Sequence, residues 1–282
     1  MSLLLALLLA AFPSPGAVVL KPIANMYSAA TVDADVVSQA ICGTSVLVVE
    51  EKGDWAKVRT PDDYPGWMPL VSLRRYGPSD RNYASGGKVV QVASLFANVY
   101  REPDVTKHEP MLVLPFEARV EVVEGTKNDT GRWIQVRLPD ERNAWIQRGD
   151  VDTDPAPLSV AGTIKLAKRF LGFTYLWGGT SSFGFDCSGF TQMLVRRQGI
   201  VMPRDADLQA AWQGVVPVKR NQLKAGDLLF FGGSPQKITH TGMYIGHGKF
   251  IHDTTHEYPG VQISRLKDPY WNKLLVACRR LK

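Results

Sequence analysis

The first half of this chain repeats itself. Ala24-Asn25-Met26-Tyr27 recurs as Ala97-Asn98-Val99-Tyr100, and Trp55-Ala56-Lys57-Val58-Arg59-Thr60-Pro61 recurs as Trp133-Ile134-Gln135-Val136-Arg137-Leu138-Pro139. Trp67 follows Trp55 by twelve residues, and Trp145 follows Trp133 by the same twelve. Val46-Leu47-Val48-Val49-Glu50 and Val120-Glu121-Val122-Val123-Glu124 form another matched pair. Each copy consists of short runs rich in Val, Ile and Trp, broken by Gly, Pro and Asp turns, which is the pattern of strands. A fixed order of such runs, met twice, requires one small all-β unit built two times.

Each copy carries a strand, a Gly or acidic turn, a Trp-x-x-Val stretch and a closing tryptophan. The pattern resembles bacterial SH3-like barrels. The first copy closes with Gly66-Trp67, whereas the second has Ala144-Trp145. The barrels are expected over residues 18–78 and 84–153, with Trp55 and Trp133 in their cores. Pro155-Ala156-Pro157 marks a linker. Ser159 suits the N-cap of a helix from about Val160 to Leu171, with Ile164, Leu166, Ala167, Phe170 and Leu171 as its apolar positions. After a loop holding Gly178, Gly179 and Gly184, a second helix starts near Cys187 and stops before Gly199. Strands then follow over 227–231, 240–245, 249–253, 261–264 and 274–278. Helices first and a run of antiparallel strands afterwards make residues 159–282 an α+β domain.

Asp186-Cys187-Ser188-Gly189-Phe190 is where chemistry is expected. A thiol attacks only as thiolate, and the unpaired N–H groups of a helix N-terminus favour that form. An inert cysteine would have apolar neighbours, as Cys42 and Cys278 do. Cys187 instead sits between Asp186 and Ser188. A nucleophilic thiol needs a base, which among five histidines is sought at His240 and His252. These two flank Gly246-His247-Gly248, and folding a hairpin about Gly246 brings them side by side. One can take the thiol proton while the other holds its partner's tautomer, and spacing does not decide which does which. His247 falls at the turn tip, His256 in a polar loop, and His108 on the surface of the second barrel. A metal site would have to gather His240, His252, Asp253 and His256. It has no compact ligand motif and leaves Cys187 unexplained, so neither a metal nor another cofactor is expected.

The motifs Tyr175-Leu176-Trp177-Gly178-Gly179, Asp186-Cys187-Ser188-Gly189-Phe190, Thr239-His240-Thr241-Gly242-Met243-Tyr244-Ile245-Gly246 and Phe250-Ile251-His252 occur in that order. Ala225-Gly226-Asp227-Leu228-Leu229-Phe230-Phe231 lies between the second and the third. Together they resemble the NlpC-type cysteine peptidases of bacterial cell-wall peptides, over roughly residues 159–282. The resemblance implies a papain-like core, with Cys187 as nucleophile, His240 as base, His252 as the polar third residue and the Tyr175 hydroxyl near the oxyanion. It implies hydrolysis, through an acyl-enzyme, of the bond from γ-D-glutamate to a diamino acid in peptidoglycan stem peptides. Two SH3-like domains ahead of such a core resemble a dipeptidyl-peptidase subgroup. There the first barrel narrows the cleft toward peptides with a free N-terminal L-alanine, released as L-Ala-D-Glu. Asp186 and Ser188 would hold the substrate ammonium, with Tyr64 and, less directly, Asp35 contributed by the first barrel. Pro203-Arg204-Asp205 also resembles a family segment, and it is given no role beyond starting a helix. The alternatives are a wall amidase or acyl transferase on the same core, and a non-catalytic wall-binding protein.

A net charge of +6 suits anionic partners such as wall polymers. No dense Lys/Arg run with interleaved aromatics is present, which argues against nucleic acid. Leu3 to Phe12 is apolar and precedes Pro13-Ser14-Pro15-Gly16-Ala17, resembling a secretory signal over residues 1–17 without its positive start. The run is too short to span a bilayer, so no integral membrane segment is expected. A periplasmic or extracellular monomer is expected, with a cytoplasmic location as the alternative.

Overall fold

The computed structural model describes residues 16–77, 79–125 and 131–282. The expected signal at residues 1–17 lies, except for its last two residues, outside the described ones. Among the described residues no helix is long and apolar enough to cross a membrane.

The repeat in the sequence becomes a repeat in the sheets. The first copy forms a sheet in the order Val36–Ile41, Ile23–Tyr27, Pro65–Pro69, Trp55–Arg59, Ser45–Lys52, Gly16–Val19, Leu73–Arg75. The second follows the same order with Leu112–Pro115, Phe96–Tyr100, Asn143–Gln147, Trp133–Arg137, Arg119–Val122, Val89–Val92 and Val151–Asp152. The matched motifs occupy equivalent places. Lys57 pairs with Trp67 and Gln135 with Trp145. Tyr27 meets Trp55 edge-on at 5.4 Å, and Tyr100 meets Trp133 edge-on at 5.5 Å. The alternating Ala24 and Met26, like Ala97 and Val99, point inward and are buried. The tryptophans differ in burial: Trp133 is buried, whereas Trp55 is only half-buried.

The last 120 or so residues build an α+β layer structure. Helix α1 (Val160–Ala167) is capped by the Ser159 hydroxyl, which accepts from the Gly162 N–H at 3.2 Å, and it runs on as a 3-10 turn to Phe170. Helix α2 (Cys187–Arg196) buries nearly its whole length. Two short helices follow, α3 (Ala206–Ala211) and α4 (Pro269–Leu274). The six-stranded antiparallel sheet has the order Val215–Pro217, Leu275–Leu281, Leu228–Ser234, Lys237–Gly246, Lys249–Thr254, Gly260–Arg265. Because side chains alternate along a strand, each face of this sheet has its own core. Leu228, Phe230, Met243, Ile251 and Val261 meet Phe190, Met193 and Leu194 of α2. On the other face Leu229, Phe231 and Phe250 meet Trp271 of α4.

Both barrels are docked on this domain. Phe96 stacks on Phe173, and Phe116 meets Phe170 edge-on while its N–H donates to the Ser182 hydroxyl. From the first barrel, Gln39 accepts from both the N–H and the hydroxyl of Thr180 at 3.2 Å. Cys42, in the first copy, is buried against the core of the second.

Candidate active site

Helix α2 starts at Cys187 because Asp186 caps it. The Asp186 backbone is extended, and its Oδ1 accepts from the Gly189 N–H at 2.7 Å. Oδ2 accepts from the Gly178 N–H at 3.0 Å, which ties the glycine loop to the same carboxylate. Arg204, 2% exposed, donates Nη1 to Oδ1 at 3.0 Å and Nη2 to Oδ2 at 2.5 Å, a two-pronged pair. Arg204 Nη1 also reaches the Ser188 hydroxyl at 2.7 Å, and that hydroxyl donates to Asp186 Oδ1 at 3.2 Å. Asp186 and Ser188, the residues expected to hold a substrate ammonium, are thus both bound to Arg204. Their oxygens are already committed to Arg204 and the helix cap, and a second cation would compete with a buried ion pair.

His240 and His252 come together, by a different register from simple folding about Gly246. The turn residues are His247 and Gly248, both with positive φ (52° and 68°), and Gly246 pairs with Lys249. A bulge between Tyr244 and Gly246 then shifts the pairing by one residue, to Tyr244 with Phe250 and Met243 with Ile251. Continued, that register sets His252 opposite Gly242 and diagonal to His240. Without the bulge the two histidines would lie on opposite faces, since a one-residue slip inverts every side chain. As built, His240 Nε2 and His252 Nδ1 are 2.7 Å apart, and His252 Nε2 is 3.0 Å from the Ser264 hydroxyl. Phe231, pairing with His240 across the neighbouring strand, and Trp271 of α4 enclose the rings.

The backbone N–H of Thr241, the residue after His240, and that of Ser188 both act on the Cys187 sulfur, so the thiol lies against the His240 strand. The thiol is nevertheless not a ready thiolate. Burial, then the adjacent Asp186 charge, push it up to about 12, outweighing the two N–H groups and Arg204. Burial therefore opposes the helix N-terminus at this thiol. Burial likewise pushes His240 down to about 3, and it holds His252 well below the usual range with help from His240 and His256. Burial thus favours the neutral form of the thiol and of both imidazoles.

Tyr175 sits at the loop before α2, half-buried and paired to Phe185 by a β-bridge. Burial, then the Cys187 and Asp186 charges, raise its hydroxyl pKa, so it stays a donor. Tyr64 lies on the first barrel and hydrogen-bonds Asp205, which precedes α3. Burial raises the Asp205 carboxyl and pushes the Tyr64 phenol up to about 12. Asp35 is exposed, immediately before the strand that faces the glycine loop.

His256 stacks on Tyr270 at 3.7 Å, His247 stays at the turn, and exposed His108 lies 3.4 Å from Glu102. Among the described residues no three His, Cys, Asp or Glu side chains converge to hold a metal ion.

Four residues outside the expected catalytic and substrate-binding roles stand out. Arg204 and Asp205 were visible only as a segment starting a helix, and Ser264 had no signal, since it reaches His252 through pairing of two later strands. Asp253 is the fourth. It is fully buried, its oxygens make no well-formed hydrogen bond among the described residues, and burial and then the Asp186 charge push it up to about 8 against the lowering effect of the Thr254 N–H.

Residues 172–280 match the family model described as NlpC/P60 family, and residues 26–73 match that of the bacterial dipeptidyl-peptidase Sh3 domain. A Bacillus cereus protein named gamma-D-glutamyl-L-lysine dipeptidyl-peptidase is 34% identical over 261 residues, covering 86% of this chain and 74% of that one. A Bacillus subtilis protein of the same name is 32% identical, covering 86% and 80%. The crystal structure of an NlpC/P60 family protein from Bacillus cereus superposes with a TM-score of 0.80 at 29% identity, covering 94% of this chain and 99% of that one.

Proposed function

The chain belongs to the NlpC/P60 family of cysteine peptidases and is a peptidoglycan peptidase, and on that premise we propose that it cleaves stem peptides between γ-D-glutamate and the diamino acid, with Cys187 as nucleophile, and prefers a free N-terminal L-alanine. The observation that carries the preference is the pairing of Tyr64 with Asp205 across the boundary between first barrel and catalytic domain. Asp186 is consumed by Arg204, whereas Asp205 is a half-buried carboxylate whose side-chain partner is a phenol. A primary ammonium offers Asp205 a full charge and a hydrogen-bond donor. An acylated or glycan-linked alanine offers neither, and it adds bulk toward the barrel.

The histidine chain supplies the base in one tautomer. His240 can accept a proton from Cys187 at Nδ1 only if its own proton is on Nε2, donated to His252 Nδ1. His252 must then carry its proton on Nε2 and donate it to Ser264. The opposite arrangement would leave His240 a donor at Nδ1 and no base. With burial favouring the protonated thiol, Cys187 gives its proton to His240 Nδ1 as sulfur attacks the γ-carbonyl of D-glutamate. The S–C bond forms, the carbonyl π electrons move to oxygen, and the oxyanion is met by the Tyr175 hydroxyl and the Cys187 N–H. Collapse expels the diamino-acid amine, which takes the proton back from His240. Water, deprotonated by His240, then attacks the thioester and releases L-Ala-D-Glu with the thiol regenerated.

The test compares one stem peptide with its alanine free or N-acetylated. The free peptide should be cleaved with at least tenfold higher kcat/KM, and equal rates would refute the preference for a free alanine. Mass analysis also separates this reading from a wall amidase, which would not release L-Ala-D-Glu.

A further inference from the structure

One strand of the first barrel, Val36–Ile41, touches the catalytic domain at three places that bracket Asp186. Val36 packs against Gly178, closely enough that a Cβ there would fall 2.8 Å from the Val36 carbonyl oxygen, and Gly178 donates to Asp186 Oδ2. Gln39 holds Thr180, two residues further along the same loop. Between them the Ser38 hydroxyl, 4% exposed, accepts from Arg204 Nε at 3.2 Å. Arg204 thus spends Nε on the barrel, Nη1 on Asp186 and Ser188, and Nη2 on Asp186. A guanidinium is planar, so fixing Nε fixes the plane in which its other two nitrogens meet the carboxylate.

We propose that the first barrel helps position the nucleophile: Ser38 orients Arg204, and Arg204 holds the Asp186 cap of the helix that begins at Cys187. The inference rests on Cys187 being the nucleophile, and it goes beyond a barrel that merely narrows the cleft. Arg204 has two effects on the thiol. Its charge offsets that of Asp186, which would otherwise act on the sulfur uncompensated. Its fork keeps Asp186 bonded to the Gly189 N–H, so the first turn of α2 stays in place. Arg204 and Ser38 are positioning residues, and their loss should appear in the reactivity of Cys187 even without substrate.

The experiment uses the full chain and reads two quantities. The first is the rate at which iodoacetamide alkylates Cys187 as a function of pH, followed by the mass of the Cys187 peptide. The second is kcat and KM on a free-amine stem peptide. Arg204→Gln should slow alkylation at neutral pH about tenfold and move its profile to higher pH, about one unit per tenfold. Arg204→Lys, which keeps the charge and loses the fork, should fall between Arg204→Gln and wild type. Ser38→Ala should lower kcat roughly three- to fivefold, as expected for one lost hydrogen bond, with KM unchanged. Should Arg204→Gln not fold, the other two variants carry the test. Lowered melting temperatures in Arg204→Lys and Ser38→Ala, with wild-type alkylation profiles and kcat, would overturn the proposal. Cleavage that survives Cys187→Ser would instead overturn the functional reading, so the two failures are distinguishable.

Discussion

Asp253 should make this protein less stable as pH rises, and Asp253→Asn should remove that dependence. The carboxyl is fully buried on the face of the sheet that meets α2, the Thr254 N–H only partly offsets that burial, and it ionises near pH 8 against 3.8 when unperturbed. A carboxyl raised on folding keeps a proton that the unfolded chain surrenders. Stability therefore falls with rising pH between those two values and is level outside them. Each unit in that window is worth about 1.4 kcal/mol, so the folded wild type forfeits about 4 kcal/mol at neutral pH. Other carboxyls titrate too, but the difference between wild type and Asp253→Asn isolates this one. Urea unfolding from about pH 5 to pH 8 should show the variant gaining on wild type by about 1.4 kcal/mol per unit. A difference that stays constant across that range would refute the reasoning, and with it the assignment of a neutral Asp253 carboxyl.

Three further outcomes follow from the same geometry. Ser264→Ala removes the acceptor that orients the His252 tautomer, and it should lower kcat about five- to tenfold with KM unchanged, the scale of one hydrogen bond. Asp205→Asn should lower kcat/KM for free-amine peptides by about ten- to a hundredfold, the worth of a charge-assisted bond, and should narrow the gap between free and N-acetylated substrates. Gly178→Ala forces a side chain into a residue at φ +74° and against Val36, so calorimetry should show a lowered melting temperature, from a cost of at least about 1–2 kcal/mol.

What could be read from the sequence was what is local. The Trp-containing repeats set out both barrels because strand alternation and turn residues are short-range signals. Cys187 at a helix start was legible because Asp186 is an N-cap and a glycine loop precedes it. The partners of these residues were less legible. Arg204 lies 18 residues beyond Asp186, and nothing in the segment Pro203-Arg204-Asp205 says that its guanidinium turns back onto the cap. Symmetry about Gly246 misplaces the turn, and it is the bulge near Ile245 that sets His240 and His252 on one face. A bulge leaves no mark in a run such as Met243-Tyr244-Ile245-Gly246. The burial that pushes the Cys187 thiol up is a property of the assembled domain and leaves no mark in the local sequence.

The central claim, a Cys187 acyl-enzyme formed on γ-D-glutamate, is tested most directly by mass spectrometry of enzyme mixed with L-Ala-γ-D-Glu-L-Lys or its diaminopimelate counterpart and quenched early. The wild type should carry the L-Ala-D-Glu acyl group on the Cys187 peptide and release free L-Ala-D-Glu, and Cys187→Ala should do neither. Release of the dipeptide by Cys187→Ala, or an acyl group on any other residue, would contradict it.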